Sequence, residues 1–152
     1  MPSTRTLRLH AEHEHVVAFA DTVANVRSNM LTFRPPVGTF YGVPRSLRPV
    51  LKLYDSGGAQ VPGNTRVFVG KKRPGESSIA WAPGAIDYYA FRDLTTAQQR
   101  DVRNAPTLTH DLGATLGFRE EDELVIGIEG GTAVDVSQAG TAVEFDVGYQ
   151  TL

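Results

Sequence analysis

AVEFDVGY, residues 142–149, decides the fold class. Val143, Phe145, Val147 and Tyr149 fall on one side of an extended chain, and Glu144 and Asp146 on the other. A period of two marks an antiparallel strand with one face in a core and the other in water. ELVIGIE (123–129) repeats the pattern through Leu124, Ile126 and Ile128. LRLHAEHEHVVAF (7–19) does so through Leu7, Leu9, Ala11, His13, His15, Val17 and Phe19. Working outward, further strands are expected over 23–33, 48–54, 65–70, 79–91 (broken near Pro83-Gly84), 107–116 and 132–136. Asp55-Ser56-Gly57-Gly58, Val61-Pro62-Gly63-Asn64, Arg73-Pro74-Gly75 and Gly130-Gly131 supply bends between them. One segment reads differently. Thr95 or Thr96 caps a short helix near 96–103, and Gln98 or Gln99 completes a capping box. Its few apolar residues place it on the surface. The expected fold is all-β: an antiparallel β-sandwich of about 8–10 strands, jelly-roll in type, forming a single domain over 1–152. A closed barrel or an immunoglobulin-like sandwich is the alternative.

Length and composition narrow the function. A chain of 152 residues buries roughly two-thirds of its unfolded surface, enough for one real core. With 41% hydrophobic and 21% charged residues it is neither disordered nor fibrous. No apolar run reaches the roughly 18 residues of a membrane helix, and MPSTRTLRLHAEHEH lacks the apolar centre of a signal peptide. The absence of cysteine excludes disulfides, thiol nucleophiles and thiolate metal sites. A net charge of −2 argues against electrostatic wrapping by nucleic acid, so neither membrane insertion nor sequence-specific nucleic-acid binding is expected.

That small net charge conceals a division. Residues 1–119 carry 15 basic and 9 acidic side chains, whereas 120–152 carry 8 acidic and no basic ones. The acidic strands at the C-terminus must therefore face basic surface, either within the subunit or on a neighbouring copy. Arg outnumbers Lys by 12 to 3, which suits bidentate pairing at interfaces.

Catalytic patterns are sparse. His13 and His15 share one side of a strand beside His10, as in some cupin-type metal sites, but two imidazoles make an incomplete ligand set. The REEDE run at 119–123 reads as a solvated turn, and Lys71-Lys72-Arg73 as a solvated loop. Glu144 and Asp146 offer oxygens to a hard cation without a calcium-loop spacing around them. Nucleophile-elbow and phosphate-loop patterns do not occur, and no cofactor is expected. The aromatics are more suggestive. Phe40 and Tyr41 lie in the stiff loop RPPVGTFYGVP, and Trp81, Tyr88 and Tyr89 flank the Pro83-Gly84 bend. With Arg45, Arg48, Glu144 and Asp146 they form the candidate interaction set, since loop aromatics and arginines commonly anchor contacts.

Three stretches carry a resemblance to a known group. LRPVLKLYDSGGAQVPGNTRVFVGKKRPG, LTTAQQRDVRN and FREEDELVIGIEGGTAVDVSQAGTAVEFDV resemble small β-sandwich virion proteins of haloarchaeal viruses, among them capsid, vertex and turret or decoration components. The resemblance covers roughly residues 47–147 and rests on hairpin lengths, the acidic turn before a Leu/Ile strand and the closing alternating strand. It implies a non-enzymatic structural protein of an icosahedral particle, assembled in the host cytoplasm. Its partners would be copies of itself, in trimers or pentamers, and other capsid proteins. Two other classes fit parts of the sequence. One is a carbohydrate- or receptor-binding module using Tyr41, Trp81 and Tyr88; the other is a small cupin-like metalloenzyme using His13 and His15.

Overall fold

A computed structural model describes residues 4–10, 18–33, 43–101, 116–117, 119 and 121–150. The two alternating segments stand at the centres of two antiparallel sheets. β9 (Ala142–Gln150) lies between β1 (Thr4–His10) and β4 (Val43–Lys52) in a three-stranded sheet. β8 (Glu123–Glu129) lies between β3 (Ser28–Phe33) and β5 (Arg66–Lys72) in a six-stranded one, which β2 (Ala18–Phe19), β6 (Ala80–Trp81) and β7 (Ile86–Asp87) complete. The chain is all-β apart from two short helices, α1 (Tyr89–Arg92) and α2 (Thr96–Arg100).

Both sheets bury residues in one cluster. Leu51 and Val143 come from the first sheet, and Met30, Leu31, Val67, Val69, Leu124, Ile126 and Ile128 from the second. Tyr88 and Phe91, fully buried with stacked rings, close the cluster from the α1 side. Truncating any of the buried leucines to Ala costs about 2–5 kcal/mol.

Several expected elements take another form. β3 begins only at Ser28, because residues 23–27 turn around Asn25, whose φ is 63° and whose amide donates to Gly130 O. The 79–91 stretch resolves into β6, β7 and the turn of helix α1. Residues 132–136 form no strand. Val134 is buried there instead, its backbone exchanging hydrogen bonds with Thr22, while Asp135 N donates to Tyr54 O. Lys71 and Lys72 extend β5 rather than forming a loop. The strand expected over 107–116 lies outside the described residues save Leu116, which is buried.

The helix is capped as expected. Thr95 Oγ1 accepts from Gln98 N at 3.1 Å and Gln98 Oε1 accepts from Thr95 N at 2.8 Å. It is less superficial than its composition suggests, because Gln99 is fully buried. The Gln99 amide accepts from Leu51 N at 2.6 Å and donates to Leu51 O at 2.9 Å, as an adjacent strand would. Two residues on, Leu53 N donates to the Tyr88 hydroxyl at 2.8 Å. β4 carries Pro44 and Pro49, which have no N–H to give a ladder, and its end is sealed by these side chains.

Connections gather at two ends. Residues 20–27, 53–65, 82–89 and 130–141 meet at one, through Thr22–Val134, Asn25–Gly130, Tyr54–Asp135 and Gly63–Tyr89 backbone hydrogen bonds. Residues 71–76 meet Gly117, Arg119 and Asp122 at the other, where Lys71 Nζ and an Arg73 guanidinium nitrogen both donate to Gly117 O.

Candidate interaction surfaces

The two faces of β8 explain the outer surface of the six-stranded sheet. Leu124, Ile126 and Ile128 enter the core, yet Val125 is also only 1% exposed. Trp81 covers that second face. A Cβ on Gly127 would lie 2.6 Å from the indole, and one on Gly70 2.7 Å from it, so two glycines on neighbouring strands form its seat. Phe68 meets the indole edge-on with centroids 6.3 Å apart. The Arg27 guanidinium lies 3.6 Å from the Phe68 ring centroid and 5.0 Å from that of Trp81. Cation–π attraction and aromatic packing thus cover a sheet face that strict alternation assigns to water.

Arg27 is further held by Glu129 at 3.2 Å, and Arg66, which faces Phe68 at 5.3 Å, lies 3.7 Å from Asp87. At the opposite end Arg73 Nε stands 3.4 Å from Asp122 Oδ1, and Asp122 Oδ2 accepts from Arg119 N. Asp122 is 2% exposed, so the REEDE run holds a buried anchor rather than a wholly solvated turn. Lys71 is buried too; desolvation first, then the neighbouring Arg73 charge, lowers its pKa below the ordinary lysine value. Along β9, Asp146 stands in register between Arg8 and Arg48, and Glu144 between His10 and Val50. These contacts and registers set acidic residues after Arg119 beside basic residues of the same subunit.

The expected interaction residues separate accordingly. Tyr88 is in the core, its hydroxyl donating to Gln60 Oε1 at 2.7 Å while accepting from Leu53 N. Burial pushes its phenol up to about 12. It is therefore no surface anchor, which removes one of the three aromatics of the carbohydrate-binding reading. Trp81 is half-buried beneath Arg27, whereas Tyr89 is 73% exposed. Arg45 and Arg48 lie on β4, and Glu144 and Asp146 on the β9 strand it pairs with. Phe40, Tyr41, His13 and His15 lie outside the described residues.

Sequence reasoning missed Gln99, Asp122, Arg27 and Glu129. Only the glycine at position 127, inside an otherwise apolar strand, signalled a close approach from outside. Among the described residues no group of three or more His, Asp or Glu side chains is placed to hold a metal ion. No helix among them is long and apolar enough to cross a membrane.

Among the described residues, buried polar groups tie strands and loops together, and arginines stack on aromatics. No curated protein matches the chain. A family model described as "Major capsid protein VP16-like" matches residues 27–150. The match takes in every strand from β3 to β9 and both helices, and the chain belongs to this family of viral major capsid proteins.

Proposed function

We propose that the chain is a shell-forming subunit of an icosahedral virus particle, working by self-assembly and without catalysis. The observation that carries this reading is the capsid-family match over residues 27–150, laid on two sheets with a common core. A shell subunit needs a rigid body that presents loops and sheet faces to neighbours. Among the described residues, several polar side chains are engaged in holding the fold: Asp122 anchors a turn, Tyr88 and Gln99 seal β4, and Asp135 caps its own turn through Ser137.

The pairing of β1 with β9, β3 with β8, and β5 with β6 favours a jelly roll in one domain over 1–152, since in that fold early strands pair with late ones in nested order. The major-capsid description favours the shell over a vertex or turret position. The scarcity of Lys and the hairpin style resembling haloarchaeal virion proteins favour an archaeal virus, with assembly in the host cytoplasm.

Light scattering and native mass measurement of the purified chain test the reading. Assemblies with defined subunit numbers are expected, in contact with other capsid proteins when these are added. A strict monomer that never enters particles would defeat it.

A further inference from the structure

The outer face of the six-stranded sheet carries a strip of aromatic and polar groups that the core does not consume. Arg66, Phe68 and Gly70 alternate onto this face along β5, with Asp87 in register beside Arg66 and Trp81 beside Gly70. Arg66 and Gly70 are four residues apart, roughly 13 Å along an extended strand. At one end Trp81, the chain's single tryptophan, is half-buried on its glycine seat. Toward the other end Arg66 and Asp87 are 52% and 65% exposed. Arg66 Nε lies 3.7 Å from Asp87 Oδ1, beyond hydrogen-bond length, so both groups keep polar atoms turned to water. Two positions past Asp87, Tyr89 is 73% exposed yet fixed in place. Its N–H donates to Gly63 O at 2.9 Å, and a Cβ on Gly63 would lie 3.2 Å from its ring.

This arrangement selects a class of ligand. The charges cancel, Arg66 against Asp87 and Arg27 against Glu129, so an ion gains no net attraction over the strip. A protein partner draws most of its affinity from anchors clustered at a desolvated centre, whereas here the rings flank a polar middle. A neutral sugar chain has the matching order. Each pyranose has a C–H face that packs on an aromatic ring, and an edge of hydroxyls that both donate and accept. Neighbouring hydroxyls suit the forked donors of a guanidinium and the two oxygens of a carboxylate, and bonds to charged groups are the stronger kind. Rings held in place beforehand also lose little freedom when a ligand arrives.

We propose that the strip from Trp81 through Arg66 and Asp87 to Tyr89 is a binding site for a neutral oligosaccharide. Trp81 and Tyr89 are the stacking rings, and Arg66 and Asp87 hold hydroxyls between them. This is a second role beside the structural one and does not depend on it.

Because Trp81 is the only tryptophan, its emission reports the site directly. The purified full chain is titrated with cellohexaose, maltohexaose and mannohexaose, and with heparin as the anionic control, by tryptophan fluorescence and calorimetry. At least one neutral probe is expected to bind, shift the emission and shield Trp81 from acrylamide. Asp87→Ala is expected to weaken that binding by about tenfold or more, and Tyr89→Ala by about threefold to tenfold. Both side chains are exposed, so the fold should survive, which a thermal melt checks. Absence of binding by every neutral probe would overturn the proposal. So would binding of heparin alone, or an affinity for the neutral probe left unchanged in both variants.

Discussion

Replacing Gln99 with Ala is expected to unseal β4 and to cost far more than the same change at Gln98, its neighbour in sequence. The Gln99 amide is fully buried and bonds Leu51 N at 2.6 Å, Leu51 O at 2.9 Å and Phe91 O at 3.1 Å. Leu51 is itself fully buried, so water cannot readily replace the lost partner. A buried donor or acceptor left unpaired costs about 1–3 kcal/mol, and Ala leaves both polar groups of Leu51 in that state. The sum, about 2–6 kcal/mol, is a large part of the about 5–15 kcal/mol that holds a domain of this size. It corresponds to a melting point lowered by about 5–20 °C. Gln98 instead completes an exposed capping box, whose loss costs about 1 kcal/mol or less.

Gln99→Glu sharpens the case. At neutral pH a carboxylate would face the carbonyls of Leu51 and Phe91 with no proton to donate, and burial would raise its pKa in the folded state. A pKa raised by folding favours the folded state at low pH and loses that favour as pH rises. Gln99→Glu should therefore be least damaging in mild acid. Denaturant titrations of the three variants supply the measurement. If Gln99→Ala is no more destabilised than Gln98→Ala, the account of how β4 ends is wrong.

Other substitutions probe other parts of the fold. Gly127→Ala sets a methyl 2.6 Å from the Trp81 ring, an overpacking expected to cost about 1–3 kcal/mol and to red-shift the emission of the chain's single tryptophan; an unmoved spectrum would refute the seat. Tyr88, with a phenol near 12 when folded and an ordinary one when unfolded, contributes stability below pH 10 that is lost as pH rises toward 12. Absorbance titration should find one of the five tyrosines ionising late, and five ordinary transitions would contradict its burial. Asp122→Ala removes the acceptor for Arg119 N and leaves Lys71 and Arg73 without their nearest buried carboxylate. A loss of about 1–3 kcal/mol by chemical denaturation is expected, partly relieved by salt, and no loss would show the anchor to be idle.

The sequence made the strand centres legible and the seals between them obscure. β9 was readable because apolar and acidic residues alternate along it, and β8 because Leu124, Ile126 and Ile128 recur at every second position, although the other face of β8 is covered as well. The helix cap was readable because Thr95 and Gln98 meet three residues apart. Gln99 was not readable, since its partner Leu51 lies 48 positions away and a buried glutamine in a polar helix resembles an exposed one. Tyr88 and Trp81 looked alike as loop aromatics, yet one entered the core and the other the outer sheet face. Residues 132–136 alternated like a strand but follow Gly130-Gly131, and their backbone is taken by Thr22 and Tyr54. The charge division was plain in composition. Its partial resolution within the subunit depends on pairs such as Arg27 and Glu129, 102 positions apart, which only the topology brings together.

The most direct test of the central claim is to quantify this chain in purified virus particles by mass spectrometry of the intact polypeptides. A shell-forming capsid protein must be among the most abundant polypeptides, in fixed ratio to the other shell proteins from one preparation to the next. A trace amount that washes away as the particles are purified would contradict the account.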